Sequence, residues 1–182
     1  MAATPDLLVR RLSKADDRSQ FRCGDADLDR FFHRYAGQNQ FRHHIGTTFV
    51  AVRQGAILGF VTVSPGEITA DVIEAATRGH LPDYPLPTLR LARLGVDERH
   101  HGQGIGRRLL RAVFHSALEL RERFGCLGVV VDAKPQAVGF YQGLGFTPLA
   151  VVRGQLGDRP EPLPMFLSVR SIETAGAGSV PP

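Results

Sequence analysis

The stretch GVDERHHGQGIGRRLL, residues 95–110, sets glycine at 102, 104 and 106, immediately ahead of a basic, leucine-bearing segment. Fixing a glycine costs backbone entropy, so three in five residues signal a backbone that takes unusual angles or is approached closely. Beyond the glycines, Ile105, Leu109, Val113, Ala117 and Leu120 recur at intervals of three or four, which predicts a helix over 104–124. Ahead of them TLRLARLGV predicts a strand over 88–96. In a strand, glycine loop and helix arranged this way, unpaired amides at the helix N-terminus can face an anion. Two familiar phosphate motifs fail here. A dinucleotide fingerprint needs glycine where Arg107 stands, and a P-loop needs Gly-Lys-Ser/Thr where the chain reads Arg-Arg-Leu. The residues alone leave a phosphate site and a plain turn equally open.

Working outward, Leu7–Arg11 reads as a first strand. DADLDRFFHRYAGQNQ follows with Leu28, Phe31, Phe32 and Tyr35 at helical spacing and Asp25 as cap. TTFVAVRQGAILGFVTVS predicts a hairpin turning at Gln54–Gly55. A helical or irregular stretch covers 71–78, and LPDYPLP is a loop. CLGVVVDA is a short buried strand, Pro135 opens a short helix closed by Gly143 and Gly145, and FTPLAVV and PMFLSVR are the last strands. No repeat or linker interrupts the chain. One α/β domain over 1–172 with a loose tail over 173–182 is expected.

The 182 residues are 43% hydrophobic and 22% charged, the composition of a globular domain. No apolar run approaches the ~20 residues that span a bilayer, and no signal peptide is read at the start. Cys23 and Cys126 form neither a CxxC motif nor a disulfide framework, which points to a reducing cytoplasm. The net charge of +4 favours an anionic partner. The histidine pairs His43-His44 and His100-His101 join no Cys or Asp at zinc spacing, so no metal is expected.

GVDERHHGQGIGRRLL, with GFYQGLGF about thirty residues on, resembles motifs A and B of the GNAT N-acetyltransferases. The resemblance implies the GNAT fold: α/β (α+β), with a mixed, mostly antiparallel central sheet flanked by helices. It also implies acetyl-CoA as co-substrate. In that family a loop R/Q-x-x-G-x-G/A cradles the cofactor's pyrophosphate, here matched by His101, Gly102, Gln103, Gly104, Ile105 and Gly106. His101 stands where Arg or Gln is usual, and Arg99 or Arg107 would supply the missing charge. Similarity further implies that Leu94, Gly95 and Val96 end a strand splayed from its neighbour, whose free backbone groups pair with pantetheine. A bulge and an ordinary strand glycine are both open at Gly95. Where other members carry an Asn before the short helix, Lys134 stands here.

Tyr141 lies in GFYQGLGF. An aromatic on a short amphipathic helix is by itself a core residue. The resemblance instead gives Phe140 the packing role and aims the Tyr141 hydroxyl at the cofactor sulfur. A phenol of pKa about 10 keeps its proton until a thiolate departs, which suits a general acid. Glu67, Asp97 and Glu98 are base candidates by position, with a solvated surface carboxylate the alternative for each. An α-amine of pKa about 7.7–8.0 is partly neutral and needs no strong base, which favours an α-amine acceptor.

FRCGDADLDRFF and LPDYPLP ahead of LARLGVD resemble a narrower branch, the GNAT toxins of bacterial toxin–antitoxin pairs. That resemblance implies transfer to the α-amine of aminoacyl-tRNA, a ribbon-helix-helix antitoxin and a homodimer. Arg78, Arg90 and Arg93 are the expected contacts to tRNA phosphates. The alternative acceptors are a small amine or a protein N-terminus. An acyl-CoA-binding module without chemistry lacks a use for Tyr141, and a nucleic-acid binder without chemistry lacks a recognition motif.

Overall fold

The computed structural model describes residues 6–150 and 162–177. Seven strands line up in one sheet in the order β1-β2-β3-β4-β5-β7-β6. They are β1 (Leu8–Arg11), β2 (Thr47–Arg53), β3 (Ala56–Ile68), β4 (Leu86–Val96), β5 (Gly128–Ala133), β6 (Thr147–Pro148) and β7 (Leu163–Ser168). The pairs β1–β2, β2–β3, β5–β7 and β6–β7 are antiparallel. The helices are α1 (Ala26–Arg30), α2 (Ala36–Gln38), α3 (Ala75–Arg78), α4 (Ile105–Arg123), α5 (Val138–Gln142) and α6 (Val169–Ala177). The mostly antiparallel sheet flanked by helices is the one expected. The chain divides into two compact units, each assembled from two stretches: Met1–Ser64 with Leu91–His115, and Pro65–Arg90 with Ser116–Pro182.

The first unit is built on an aromatic core. Phe32 and Phe60 stack with ring centroids 4.2 Å apart, and Phe21 meets both edge-on. Leu12, Ala36, Val50 and Ile57 complete the cluster. The β2–β3 hairpin turns at Gln54 and Gly55, both at positive φ as a two-residue hairpin turn requires. Its register shifts once, between Ala51 and Val52. The chain from 26 to 43 is one helical run in which α1 and α2 alternate with π-helical turns at Phe31–Tyr35 and Asn39–His43. Asp25 caps it as expected, accepting from the amides of Asp27 and Leu28.

The π turns correct one sequence expectation. Tyr35, placed on the apolar face by a 3.6-residue period, is 45% exposed. Bonds from i to i+5 widen the turn, so the mixed run winds at about four residues per turn. Phe32, Ala36 and Gln40 are accordingly the buried line, with Leu28 partly buried ahead of them. Gln40 stitches the run to the sheet: its Nε2 donates to Leu12 O at 2.9 Å and its Oε1 accepts from Thr48 N at 2.7 Å.

In the second unit Ile73, Val130, Leu149 and Phe166 form the core. Three boundaries differ from expectation. β4 begins at Leu86, and the Pro87 carbonyl accepts from Leu127 N at 2.8 Å. Of FTPLAVV only Thr147–Pro148 is strand, and residues 151–152 lie outside those described. The start of the expected tail is helical: α6 continues through residues 173–177 and buries Ile172, while residues 178–182 lie outside those described.

Candidate active site

The glycine loop begins from a buried carboxylate. Asp97, at the end of β4, is 0% exposed. Its Oδ1 accepts from Arg99 N at 3.1 Å and Arg99 Nε at 2.9 Å, and its Oδ2 from Arg99 Nη2 at 3.0 Å. The His100 ring Nδ1 lies 3.3 Å from Oδ1. The Asp97 amide donates to Leu58 O, and the next amide, of Glu98, to Arg22 O, each at 2.8 Å. The side-chain bond from Arg99 is the chief reason the Asp97 carboxyl sits well below the usual carboxylate range, outweighing desolvation. Asp97 is therefore no surface carboxylate and no proton acceptor at neutral pH. It holds the turn.

From that turn the chain enters the loop with Gly102 and Gly104 at φ of 74° and 75°. A Cβ at either position would meet nothing within 4 Å, so conformation, not crowding, demands glycine there. The result is bare, open backbone ahead of α4, whose first amides have no acceptor within the helix. This fits a diphosphate, with acetyl-CoA supplying the thioester-bound acetyl group. Of the residues expected in the cradle, His101, Gly102, Gln103 and Gly104 are exposed, Gly106 is half-buried, and Ile105 is buried as the first core residue of α4.

The Arg99 guanidinium pairs with Asp97 yet stays two-thirds exposed, and Arg107 is exposed on α4, so both cations considered beside His101 reach solvent. The His101 ring Nε2 donates to Val96 O at 2.8 Å, so one backbone acceptor of the 94–96 segment is already engaged. Gly95 also answers to a close approach. A Cβ there would lie 2.8 Å from Phe60 Cε1 and 3.5 Å from Cys23 Sγ, so the strand end is pressed onto the aromatic core. Burial pushes the Cys23 thiol up to about 12, which keeps it protonated.

Tyr141 belongs to the second unit. It is 4% exposed, while its neighbour Phe140 is half-buried. Phe140 and Phe146 flank it edge-on at 5.2 and 5.3 Å. Burial raises the phenol above its ordinary pKa. A cavity of about 350 Å³ in the same unit is lined by Glu67, Thr69, Val72, Arg90, Val130, Asp132 and Leu149, among others.

The three arginines expected to meet tRNA phosphates have separate surroundings. Arg90 is ion-paired with Asp132 on the cavity wall. Arg93 lies over the Phe31 ring at 5.3 Å and donates to Ala92 O. Arg78 ends α3. The burial of Asp97 escaped the sequence reading because Arg22 and Leu58, which also bond it, are distant in the chain, although its ionic partners Arg99 and His100 are neighbours. A signal was available in the acid's place directly between a strand and a glycine loop.

Residues 44–148 match the acetyltransferase (GNAT) domain, and the chain belongs to the GNAT acetyltransferases. It is an N-acetyltransferase with acetyl-CoA as its co-substrate. Among its relatives is the tRNA-acetylating toxin of Mycobacterium tuberculosis (strain ATCC 25618 / H37Rv), 30% identical over 138 residues, which are 75% of this chain and 82% of that protein. Its fold is similar to that of AtaT complexed with acetyl-methionyl-tRNAfMet, with TM-score 0.80 and 25% identity over 94% of this chain and 99% of that one. It is also similar to AtaT carrying a tyrosine-to-phenylalanine mutation, bound to the C-terminus of the antitoxin AtaR and acetyl-CoA. There the TM-score is 0.74 and the identity 25%, over 94% and 99% of the two chains.

Proposed function

We propose that the protein is the toxin of a toxin–antitoxin pair and acetylates the α-amine of aminoacyl-tRNA by direct transfer from acetyl-CoA. The observation that carries this reading is the likeness, over three quarters of the chain, to a tRNA-acetylating toxin. The open backbone at Gly102 and Gly104 supports it by suiting the diphosphate of the donor.

In this reading residues 101–106 hold the diphosphate, Arg107 adds charge, and Leu94, Gly95 and Val96 pair with the pantetheine arm through their backbone. A neutral α-amine forms the new N–C bond as the C–S bond breaks, Tyr141 gives its proton to the departing sulfur, and the proton shed by the acylated nitrogen restores the phenol. A phenol holds its proton at neutral pH until the thiolate forms. Arg78, Arg90 and Arg93 contact the acceptor. A ribbon-helix-helix antitoxin neutralises the enzyme, which acts as a homodimer in the cytoplasm. No helix among the described residues is long and apolar enough to cross a membrane.

The test is incubation with labelled acetyl-CoA and a mixture of charged tRNAs, proteins and small amines. Label is expected on the aminoacyl-tRNA, and its incorporation should fall steeply with salt. Label confined to small amines or protein N-termini, insensitive to salt, would overturn the reading.

A further inference from the structure

The α/π helical run over 26–43 arranges its side chains in four straight columns because it winds at about four residues per turn. One column, 28-32-36-40, faces the core. The column opposite it is Arg30, Arg34, Gln38 and Arg42, all exposed. In an ordinary α-helix such a line would drift around the axis. Here it stays straight, with successive members about 6 Å apart at helical rise. Beside it stand the exposed Tyr35 and His43 of the adjacent column.

The charges on this line are not neutralised locally. Arg30 pairs with Asp27 at 2.6 Å, but among the described residues neither Arg34 nor Arg42 has an acidic partner. The surrounding unit is basic as well. Residues 1–64 and 91–115 hold fourteen Lys and Arg against eight Asp and Glu, while the rest of the chain holds eight against ten. A straight row of guanidinium groups beside an exposed aromatic ring suits a phosphodiester backbone with unstacked bases. An acidic protein segment would satisfy the charges but would have no particular use for the ring.

We propose that the Arg34–Gln38–Arg42 column, with Tyr35 and His43 beside it, is a contact surface for the RNA backbone, and that it holds the body of the tRNA whose aminoacyl end is acetylated. This inference rests on the tRNA reading above for the identity of the RNA. It does not need that reading for the surface itself.

The test is binding of uncharged tRNA to the full chain as a function of salt, for the wild type and for Arg34→Glu combined with Arg42→Glu. The double variant is expected to bind at least tenfold more weakly at low salt, with a slope of log affinity against log salt shallower by about two. Tyr35→Ala should weaken binding without changing that slope. Thermal stability and acetyl-CoA binding should stay as in the wild type, since all three residues are exposed and outside the acetyl-CoA cradle. Unchanged affinity and slope in the double variant would overturn the proposal, as would a variant that loses only antitoxin binding. If the wild type binds tRNA through this column but leaves charged tRNA unlabelled, the surface stands and the acceptor reading falls. If wild type and double variant both bind and acetylate charged tRNA equally, the acceptor reading stands and the surface falls.

Discussion

Asp97 and Arg99, two residues apart in the chain, form a two-pronged ion pair in which the carboxylate is wholly buried and the guanidinium mostly in solvent. The buried partner also accepts from the Arg99 amide, at the point where the chain leaves β4 for the glycine loop. The pair thus fixes the direction from which the cradle begins.

Removing that anchor should affect both folding and cofactor binding. Asp97→Ala is expected to lower stability by about 2–3 kcal/mol, the scale of lost hydrogen bonds to a buried charge. It should also raise the KM for acetyl-CoA more than it lowers kcat. The sign of the pH dependence follows from a depressed folded-state pKa. The Asp97 contribution is fully present above the unfolded value of about 4 and is lost as pH falls below it toward the folded value. Chemical denaturation of wild type and variant should therefore converge in acid and differ most from pH 5 upward.

Tyr141→Phe keeps the ring that Phe140 and Phe146 flank and removes only the hydroxyl. Turnover should fall by about a hundredfold or more, as for loss of a general acid, with acetyl-CoA binding nearly unchanged. Calorimetric titration beside single-turnover kinetics separates the two, and unchanged turnover would remove Tyr141 from the chemistry.

Gly104→Ala tests the loop. With φ at 75° and open space around the added methyl group, the substitution strains the backbone without a clash. A cost of about 1–2 kcal/mol for an L-residue in this region should reshape the loop, weakening acetyl-CoA binding while the fold persists. Circular dichroism and a binding titration check this directly.

Gly95→Ala fails for another reason. Its methyl group would lie 2.8 Å from Phe60, a ring already held between Phe32 and Phe21. Overpacking of this kind should cost about 1–3 kcal/mol, visible as a lowered Tm.

Much of this architecture could be read from the chain because its signals are local. The periodic apolar positions of α4, the turn residues Gln54 and Gly55, and the Asp25 cap each act within a few residues of themselves. The paired glycines at 102 and 104 likewise announced the open, positive-φ backbone ahead of α4. Three kinds of feature were hidden. The π turns replaced the assumed 3.6-residue period, which misplaced Tyr35. Asp97 pairs with Arg99 and His100 close by, but it also bonds Arg22 and Leu58 from distant stretches, and Arg90 meets Asp132 from another, so the burial of the first and the pairing of the second were not legible locally. α6 combines weak helix formers such as Val169, Thr174 and Gly176 with a chain-end position, and is fastened by Ile172 and by the Arg121–Glu173 bridge.

The winding of the run over 26–43 has a consequence for its length. A π turn holds one residue more than the α turn it replaces, so losing one residue near Arg34 would let that turn close as ordinary α-helix and leave the residues after it on nearly the same face. Ala36 would stay in the core and Gln40 would still reach toward Leu12 and Thr48. Gaining a residue there has no such slack to take up and would turn the rest of the run by about 100°, carrying Gln40 away from the strands it fastens. In this segment a shortening should be absorbed far more readily than a lengthening.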